Sequence, residues 1–305
     1  MRRLTLAFLL LLTASAARAG EGAAFLKLGV GARAIGMGGA YTAIADDVSA
    51  MAWNPAGLSV LGKRELGFMH AELFAQTRYD FVGYAQPTKH GTFAAGAVYL
   101  SQGSIEGRDA SGAPTGGYTA SDQAMNLGFA SRLDSDLRLG ANVKYIRSSI
   151  ANASAQSFAL DLGGQYALAG VRGPGVPLLG LAVQNLGPGM KFLDQTSQLP
   201  LAFAAGIGYR LPVGLTLAMD FKHRPYSRDS EFSLGTEYAL LTNFALRAGY
   251  GTVKAYNGAS SGGFAALSGF ATGLGFKLRS YSLDYSFTPA GELGNVQRFS
   301  LGARF

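Results

Sequence analysis

The stretch Leu137-Arg-Leu-Gly-Ala-Asn-Val-Lys-Tyr145 decides the fold. Leu137, Leu139, Ala141, Val143 and Tyr145 are apolar, and Arg138, Gly140, Asn142 and Lys144 stand between them. Successive side chains of a strand point to opposite faces, so this segment is a strand with one apolar and one polar face. The pattern recurs at Leu215, Leu217, Met219 and Phe221 against Thr216, Asp220 and Lys222. Tyr281, Leu283, Tyr285 and Phe287 alternate with Ser282, Asp284 and Ser286, and Leu274, Phe276 and Leu278 with Gly275, Lys277 and Arg279.

From Leu66 onward about 14 such segments follow one another, each of about 9–11 residues, the length a tilted strand needs to cross a bilayer. Short connections at 87–90, 134–136, 212–214, 241–243 and 279–280 are interleaved with longer Gly/Ser/Asn-rich ones at 103–120, 188–198 and 252–268, with 169–177 as a long exception. A soluble β-sandwich also alternates, but it does not put an apolar face on every strand with the charges on the other. The pattern predicts an all-β transmembrane barrel of about 14 antiparallel strands. An even strand number leaves both ends of the barrel on one, periplasmic side. Leu139, Val143, Leu217, Phe221, Leu283 and Tyr285 are expected to face outward, and Arg138, Lys144, Asp220, Lys222, Lys277 and Asp284 inward. Gly163-Gly164, inside one strand, reads as a bulge or kink.

Composition agrees. Of 305 residues 43 are Gly, none is Cys, and only 15% are charged. The first residues, MRRLTLAFLLLLTASAARAG, combine Arg2 and Arg3, an apolar run Leu4 to Leu12, and an Ala17-x-Ala19 site. They read as a signal peptide over 1–19. The formal net charge of +7 falls to +4 once Arg2, Arg3 and Arg18 leave with it, too mild to point to nucleic acid. An exported chain without cysteine has no disulfide framework. No later run of 18 apolar residues marks a membrane helix. The chain ends QRFSLGARF, with Phe299, Leu301, Ala303 and Phe305 alternating. This resembles the C-terminal signature of bacterial outer-membrane proteins, which the barrel-assembly machinery reads, and makes Phe305 the assembly signal.

The segment GARAIGMGGAYTAIADDVSAMAWNPAGLS, Gly31 to Ser59, has a different character. Its GxxxxG is no phosphate loop, because Met37 and Gly38 stand where Lys and Ser/Thr are needed. The Gly258-x-Ser260-x-Gly262 match lies in a loop with no helix after it, so the strained elbow of a nucleophile motif is missing. The three histidines, His70, His90 and His223, have no evident serine partner. No catalytic, cofactor or metal site is assigned, and a barrel-embedded hydrolase is the least favoured function. The positive reading is a compact plug. Gly36, Gly38 and Gly39 permit tight turns, AYTAIA is a short helix, and Asp46 or Asp47 caps the helix DVSAMAW or pairs with an inward Arg. Asn54-Pro55 stops that helix, and Gly57 belongs to the turn toward the first strand.

Ala32 to Leu58, with Gly36-Met37-Gly38, Ala45-Asp46-Asp47 and Asn54-Pro55-Ala56-Gly57, resembles the N-terminal signature of the PorV/PorQ family, a branch of the FadL-like outer-membrane proteins. The resemblance implies a fourteen-stranded barrel in which this small, partly helical segment forms a hatch inside the lumen, with Trp53 buried against the wall and Asn54-Pro55 near the periplasmic mouth. The expected organisation is a signal peptide at 1–19, a hatch at 20–62 and a barrel at 63–305, in the outer membrane of a Gram-negative-type bacterium. The chain is expected to act as a monomer among outer-membrane lipids, with no cofactor and no nucleic acid. Two functions stay open. One is a plugged channel for hydrophobic small molecules, its lumen lined by Arg78, Arg138, Lys144, Lys277 and Arg279 or by these charges paired with Asp80, Asp161, Asp220, Glu237 and Asp284. The other is a structural component of protein secretion or surface attachment, whose partners are secreted proteins.

Overall fold

The computed structural model describes residues 21–252, 269–291 and 294–305. The leader at 1–19 and the Gly258–Gly262 match lie outside the described residues. In chain order the described strands are β1 (Glu65–Glu72), β2 (Arg78–Thr88), β3 (Gly91–Ser101), β4 (Ile105–Arg108), β5 (Pro114–Tyr118), β6 (Ala120–Arg132), β7 (Leu137–Ile150), β8 (Ala153–Ala167) and β9 (Val176–Leu186). They continue with β10 (Met190–Phe192), β11 (Gln195–Ser197), β12 (Ala202–Arg210), β13 (Leu215–Arg224), β14 (Asp229–Leu241), β15 (Phe244–Gly251), β16 (Phe270–Leu278), β17 (Tyr281–Pro289) and β18 (Asn295–Arg304). Fourteen of them close into an antiparallel barrel, with β1 pairing β18 to complete the ring. The other four form two small hairpins, β4–β5 and β10–β11, in the connections between β3 and β6 and between β9 and β12.

Both termini of the barrel lie at one end, where Glu65 is opposite Arg304 and the amide of Phe305 bonds the carbonyl of Arg64 at 3.0 Å. We call this the terminal end and the opposite one the loop end. The two added hairpins stand at the loop end, whereas the long connection 168–175 is at the terminal end. Length does not alternate strictly, because the loop-end turns at 73–77, 151–152 and 225–228 are short.

The wall is a hydrophobic core turned inside out. Leu127, Leu181 and Val143 point outward and are 70%, 67% and 52% exposed. Leu139, Leu217, Phe221 and Leu283 share that outward face. Such a surface is untenable in water and suits a hydrocarbon surround. Aromatic rings gather toward both rims of the band, with Phe93, Tyr166 and Tyr281 toward the terminal end and Tyr99, Phe158 and Phe270 toward the loop end. Backbone groups are satisfied within the closed ladders, which slip only at Leu160/Leu162 and Ala239/Leu241. The first slip faces Asn185, whose φ is 60°. The slip therefore ends at Leu162, just before Gly163, which pairs regularly with Ala182 and has another purpose: a Cβ there would sit 2.0 Å from Asn54 Oδ1.

Residues 21–62 fill the interior. They comprise α1 (Ala32–Gly36), α2 (Ala50–Trp53) and 3-10 turns at Ala24–Lys27 and Pro55–Val60. Tyr41, Met37, Ile44, Met51 and Leu58 in this segment are at most 2% exposed. About forty residues so rich in Gly and Ala bury too little surface to order alone, so the wall supplies their core. AYTAIA is not helical. It closes a single turn, with Ala45 N on Tyr41 O at 2.9 Å; the amides of Tyr41 and Thr42 bond the Asp220 carboxylate at 2.9 and 2.8 Å, and the carbonyls of Thr42 and Ala45 are taken by the side chains of Asn54 and Gln165.

Candidate functional site

The inner segment meets the wall along two seams of different chemistry. The first lies against β7, β8 and β9. Here neutral side chains bond backbone: Asn54 Nδ2 donates to the carbonyls of Thr42 and Gly164 at 2.8 and 3.0 Å. Gln165 donates to Ala45 at 3.1 Å, and Gln184 to Trp53 at 2.6 Å. Asn54-Pro55 lies toward the terminal end, wedged against glycines. A Cβ on Gly140 would come within 2.4 Å of the Pro55 carbonyl carbon, and one on Gly180 within 2.5 Å of Thr42 O. The wall glycines are sockets for backbone.

The second seam lies against β14 to β18 and is charged. The Arg33 guanidinium forks onto Glu237 at 2.7 and 2.8 Å and also pairs with Asp46. Arg247 bridges Glu237 at 2.6 Å and Asp284 at 2.7 Å. Arg210 holds the other oxygen of Asp46 at 2.6 Å. Burial alone would raise the Asp46 pKa, but Arg33 and Arg210 outweigh it and hold the carboxyl below its ordinary range. Burial likewise opposes the Arg33 charge, and Asp46 and Glu237 outweigh it, pushing its pKa well above the usual value. At the terminal end Arg304 bonds Glu65 at 2.7 Å, and Glu65 accepts the amide of Val48 at 3.1 Å. Asp47 accepts from Ser49 N at 2.9 Å and from the Tyr41 hydroxyl at 2.7 Å; no side chain caps α2.

Two cavities flank this seam. The larger, about 430 Å³, opens toward the loop end and is lined by Leu28, Ile35, Trp53 and Ala271, with Lys222, Arg224 and Arg298 and the carboxylates Asp220, Asp229 and Glu231. Trp53 donates its indole N–H to Val30 O at 2.8 Å, takes the edge of Tyr41 at 6.1 Å, and lies under Lys222 Nζ at 5.1 Å from the ring centre. It packs chiefly on its own segment, between Gly29 and Gly39, rather than on the wall. The smaller cavity, about 170 Å³, faces the terminal end and is lined by Arg33, Lys277, Arg279, Ser280 and Ser282.

The charges read from the sequence as lumen lining separate accordingly. Arg78 is not in the lumen. It shares the outward parity of Val82 and Tyr84, since Tyr79 and Phe81 are the buried, inward positions of β2. Asp80 is outward too, at 2.6 Å from His70. Arg138 is inward at the terminal end of β7. Lys144 is buried and held by Asp161 and Asn185, each at 2.7 Å, and it lines neither cavity. Lys277 and Arg279 line the smaller cavity. Gly36 rests on Gly273, and Gly38, at φ 66°, abuts the backbone of Tyr250. Met37 is buried between them, and Gly57 is buried against the carbonyl of Ala45. Sequence reading missed Arg33, Gln165 and Gln184 as anchors; the inward parity of the two glutamines was visible, but the wall partner of Arg33 and the partners of both glutamines are remote in the chain. His223 meets Ser230 at 3.0 Å on the outward face, far in the chain from the His70–Asp80 pair, so these contacts assemble no nucleophile–base–acid set. Among the described residues no cluster of His, Cys, Asp and Glu could hold a metal.

The molecule is thus a closed fourteen-stranded antiparallel barrel of FadL-like fold, here with its N-terminal segment packed in the lumen. The chain belongs to the uncharacterised protein family UPF0164, whose family model matches residues 14–167. No curated protein matches it in sequence. Among solved structures it is similar to the Ralstonia pickettii toluene transporter TbuX, with a TM-score of 0.65 and 14% identity over 91% of this chain and 98% of that one. The Pseudomonas putida toluene transporter TodX gives 0.61 and 15% over 90% and 96%. A Pseudomonas aeruginosa FadL homologue gives 0.59 and 13% over 89% and 97%. At these identities the likeness carries the fold alone.

Proposed function

We propose that the protein is an outer-membrane channel for hydrophobic small molecules, closed by residues 32–58 acting as a hatch. The carrying observation is the loop-end cavity of about 430 Å³, an apolar pocket floored by Trp53 and open toward the connections of that end. Ligand pockets have this size and this mix of apolar lining with a few polar groups. The fold shared with two toluene transporters supports the reading. Trp53, the single tryptophan, is also its reporter. Titration with toluene and with a long-chain fatty acid, followed by Trp53 emission in detergent, should give a saturable change with at least one of them. A flat response to both overturns the reading.

The resemblance of Ala32 to Leu58 to the PorV/PorQ signature supports a second reading, a barrel serving protein secretion, whose outer contact would be the hairpins β4–β5 and β10–β11. Copurification of a secreted protein that is lost when both hairpins are cut to tight turns would favour it over the channel.

A further inference from the structure

The two cavities are separated by one short helix. Ile35, at the C-terminal turn of α1, and Gly38 and Gly39 just beyond it line the loop-end cavity. Gly31, Ala32 and Arg33, at its start, line the terminal-end cavity. α1 is hinged at its C-terminal side, where Met37 and Gly38 sit on the wall glycines Gly235 and Gly249 and a Cβ on Gly249 would come within 2.1 Å of the Met37 carbonyl carbon; the body of the helix has no such seat. Gly36 lies flat on Gly273, and the fastening is the Arg33 ion pairs plus one bond from Ala32 N to Ser300 Oγ at 2.9 Å.

The wall behind α1 is polar at every inward position of β17: Ser282, Asp284, Ser286 and Thr288. Ser286 is fully buried, and neither its hydroxyl nor that of Thr288 has a hydrogen-bond partner. Buried hydroxyls are ordinarily bonded, and a vacant one marks a place for a solute oxygen or a water. Charge along the strip is uneven. Its carboxylates are occupied, Asp284 by Arg247, Glu65 by Arg304 and Glu237 by Arg33 and Arg247. Three cations at its two ends differ: among the described residues Lys222 at the loop end and Lys277 and Arg279 at the terminal end make no ion pair within 4.0 Å, and Lys222 lies over the face of Trp53. All fourteen barrel strands are paired to both neighbours, so a solute that passes α1 stays within the lumen.

We propose that the β16–β18 face carries an axial route for small organic anions, received at Lys222, discharged at Lys277 and Arg279, and gated by α1 with Arg33 as its latch. The proposal rests on the channel reading but assigns to it a path and a charge class. A carboxylate on an apolar body suits both ends: the body fits beside Trp53 and Ile35, and the carboxylate takes the unpaired cations and free hydroxyls in turn.

The experiment is conductance in planar bilayers under a potassium chloride gradient, repeated with potassium benzoate. Arg33→Ala and, separately, Glu237→Gln should raise conductance over the native chain and make it anion-selective, with benzoate carried. In either background Lys277→Glu with Arg279→Glu should reverse the selectivity toward potassium. Because the chain has no cysteine, Ala32→Cys with Ser300→Cys can tie α1 to the wall. The oxidised tie should abolish the conductance of the latch variants and reductant should restore it. Each variant is first checked for heat-modifiable migration on gels. Conductance that ignores the tie, or selectivity that ignores the reversed charges, overturns the route. Deletion of residues 32–58 separates the two readings: if it opens the barrel while the latch variants stay closed, this route is wrong and the channel stands, and if neither conducts, the channel itself fails.

Discussion

The two seams of the inner segment hold it by opposite means. Against β7 to β9, uncharged amides reach backbone carbonyls and the wall is cut back to glycine, so segment and wall fit without slack. Against β14 to β18, Met37 and Gly38 are seated on glycines in the same way, but α1 itself is held by ion pairs and a cavity lies on either side of it. Close backbone packing loses its energy with any displacement. A forked guanidinium can exchange one carboxylate or water for another at modest cost. One seam reads as anchor, the other as the side able to move.

The largest expected effect comes from removing both seams at once. Deletion of Ala32 to Leu58 should take the barrel from closed to open in planar bilayers while it still migrates as a folded, heat-modifiable barrel; unchanged conductance would make the segment irrelevant to closure. Next is the wall that both seams depend on. Val143→Lys, on the outward face, should cost roughly 2–4 kcal/mol in denaturant unfolding from bilayers, and Ser282→Lys, facing inward, much less. Equal costs would mean the faces are misassigned.

A sharper comparison sets Gly140→Ala against Gly273→Ala. The first Cβ meets backbone of the anchor seam at 2.4 Å, the second meets Gly36 Cα at 3.2 Å. Overpacking of a fixed site costs about 1–3 kcal/mol, so Gly140→Ala should expose the segment to protease and Gly273→Ala should change little. The reverse order would exchange the roles of the seams. The smallest effect is that of pH. The folded Asp46 pKa is depressed, so its contribution is complete above its ordinary value of about 3.9 and is lost as pH falls through the lower folded value. The stabilisation owed to Asp46, read as the difference between the native chain and Asp46→Asn in unfolding at each pH, should therefore hold from neutral pH to about 4 and shift only below it. Asn54, Gln165 and Gln184 do not titrate, so protease protection around Pro55 should outlast that shift.

The barrel was legible because a strand against lipid has to alternate with period two, and Leu137 to Tyr145 shows this without help from any neighbour. Strand limits came out within about three residues, since turn residues punctuate them. Side was less secure near the ends. Arg78 begins β2, where the alternation has no flanking residues to fix its phase, and a one-residue slip reverses the face. The helix expected at AYTAIA failed for another reason: the carbonyls of Thr42 and Ala45, which would carry a helix onward, accept from Asn54 and from Gln165, the latter more than a hundred residues along the chain.

By itself, then, the sequence determined a membrane wall, its strand number, and a Gly/Ala-rich segment unable to fold alone, because alternation and composition are local properties that the bilayer reads directly. The tertiary structure decided which wall glycines are sockets, that Arg33 reaches Glu237, that Lys144 is held by Asp161 while Lys277 and Arg279 line a cavity, and that one five-residue helix divides the lumen into two cavities. Those outcomes depend on closing the ring. Only closure brings inward positions of distant strands around a common segment, where distance and burial select the partners that spacing along the chain cannot.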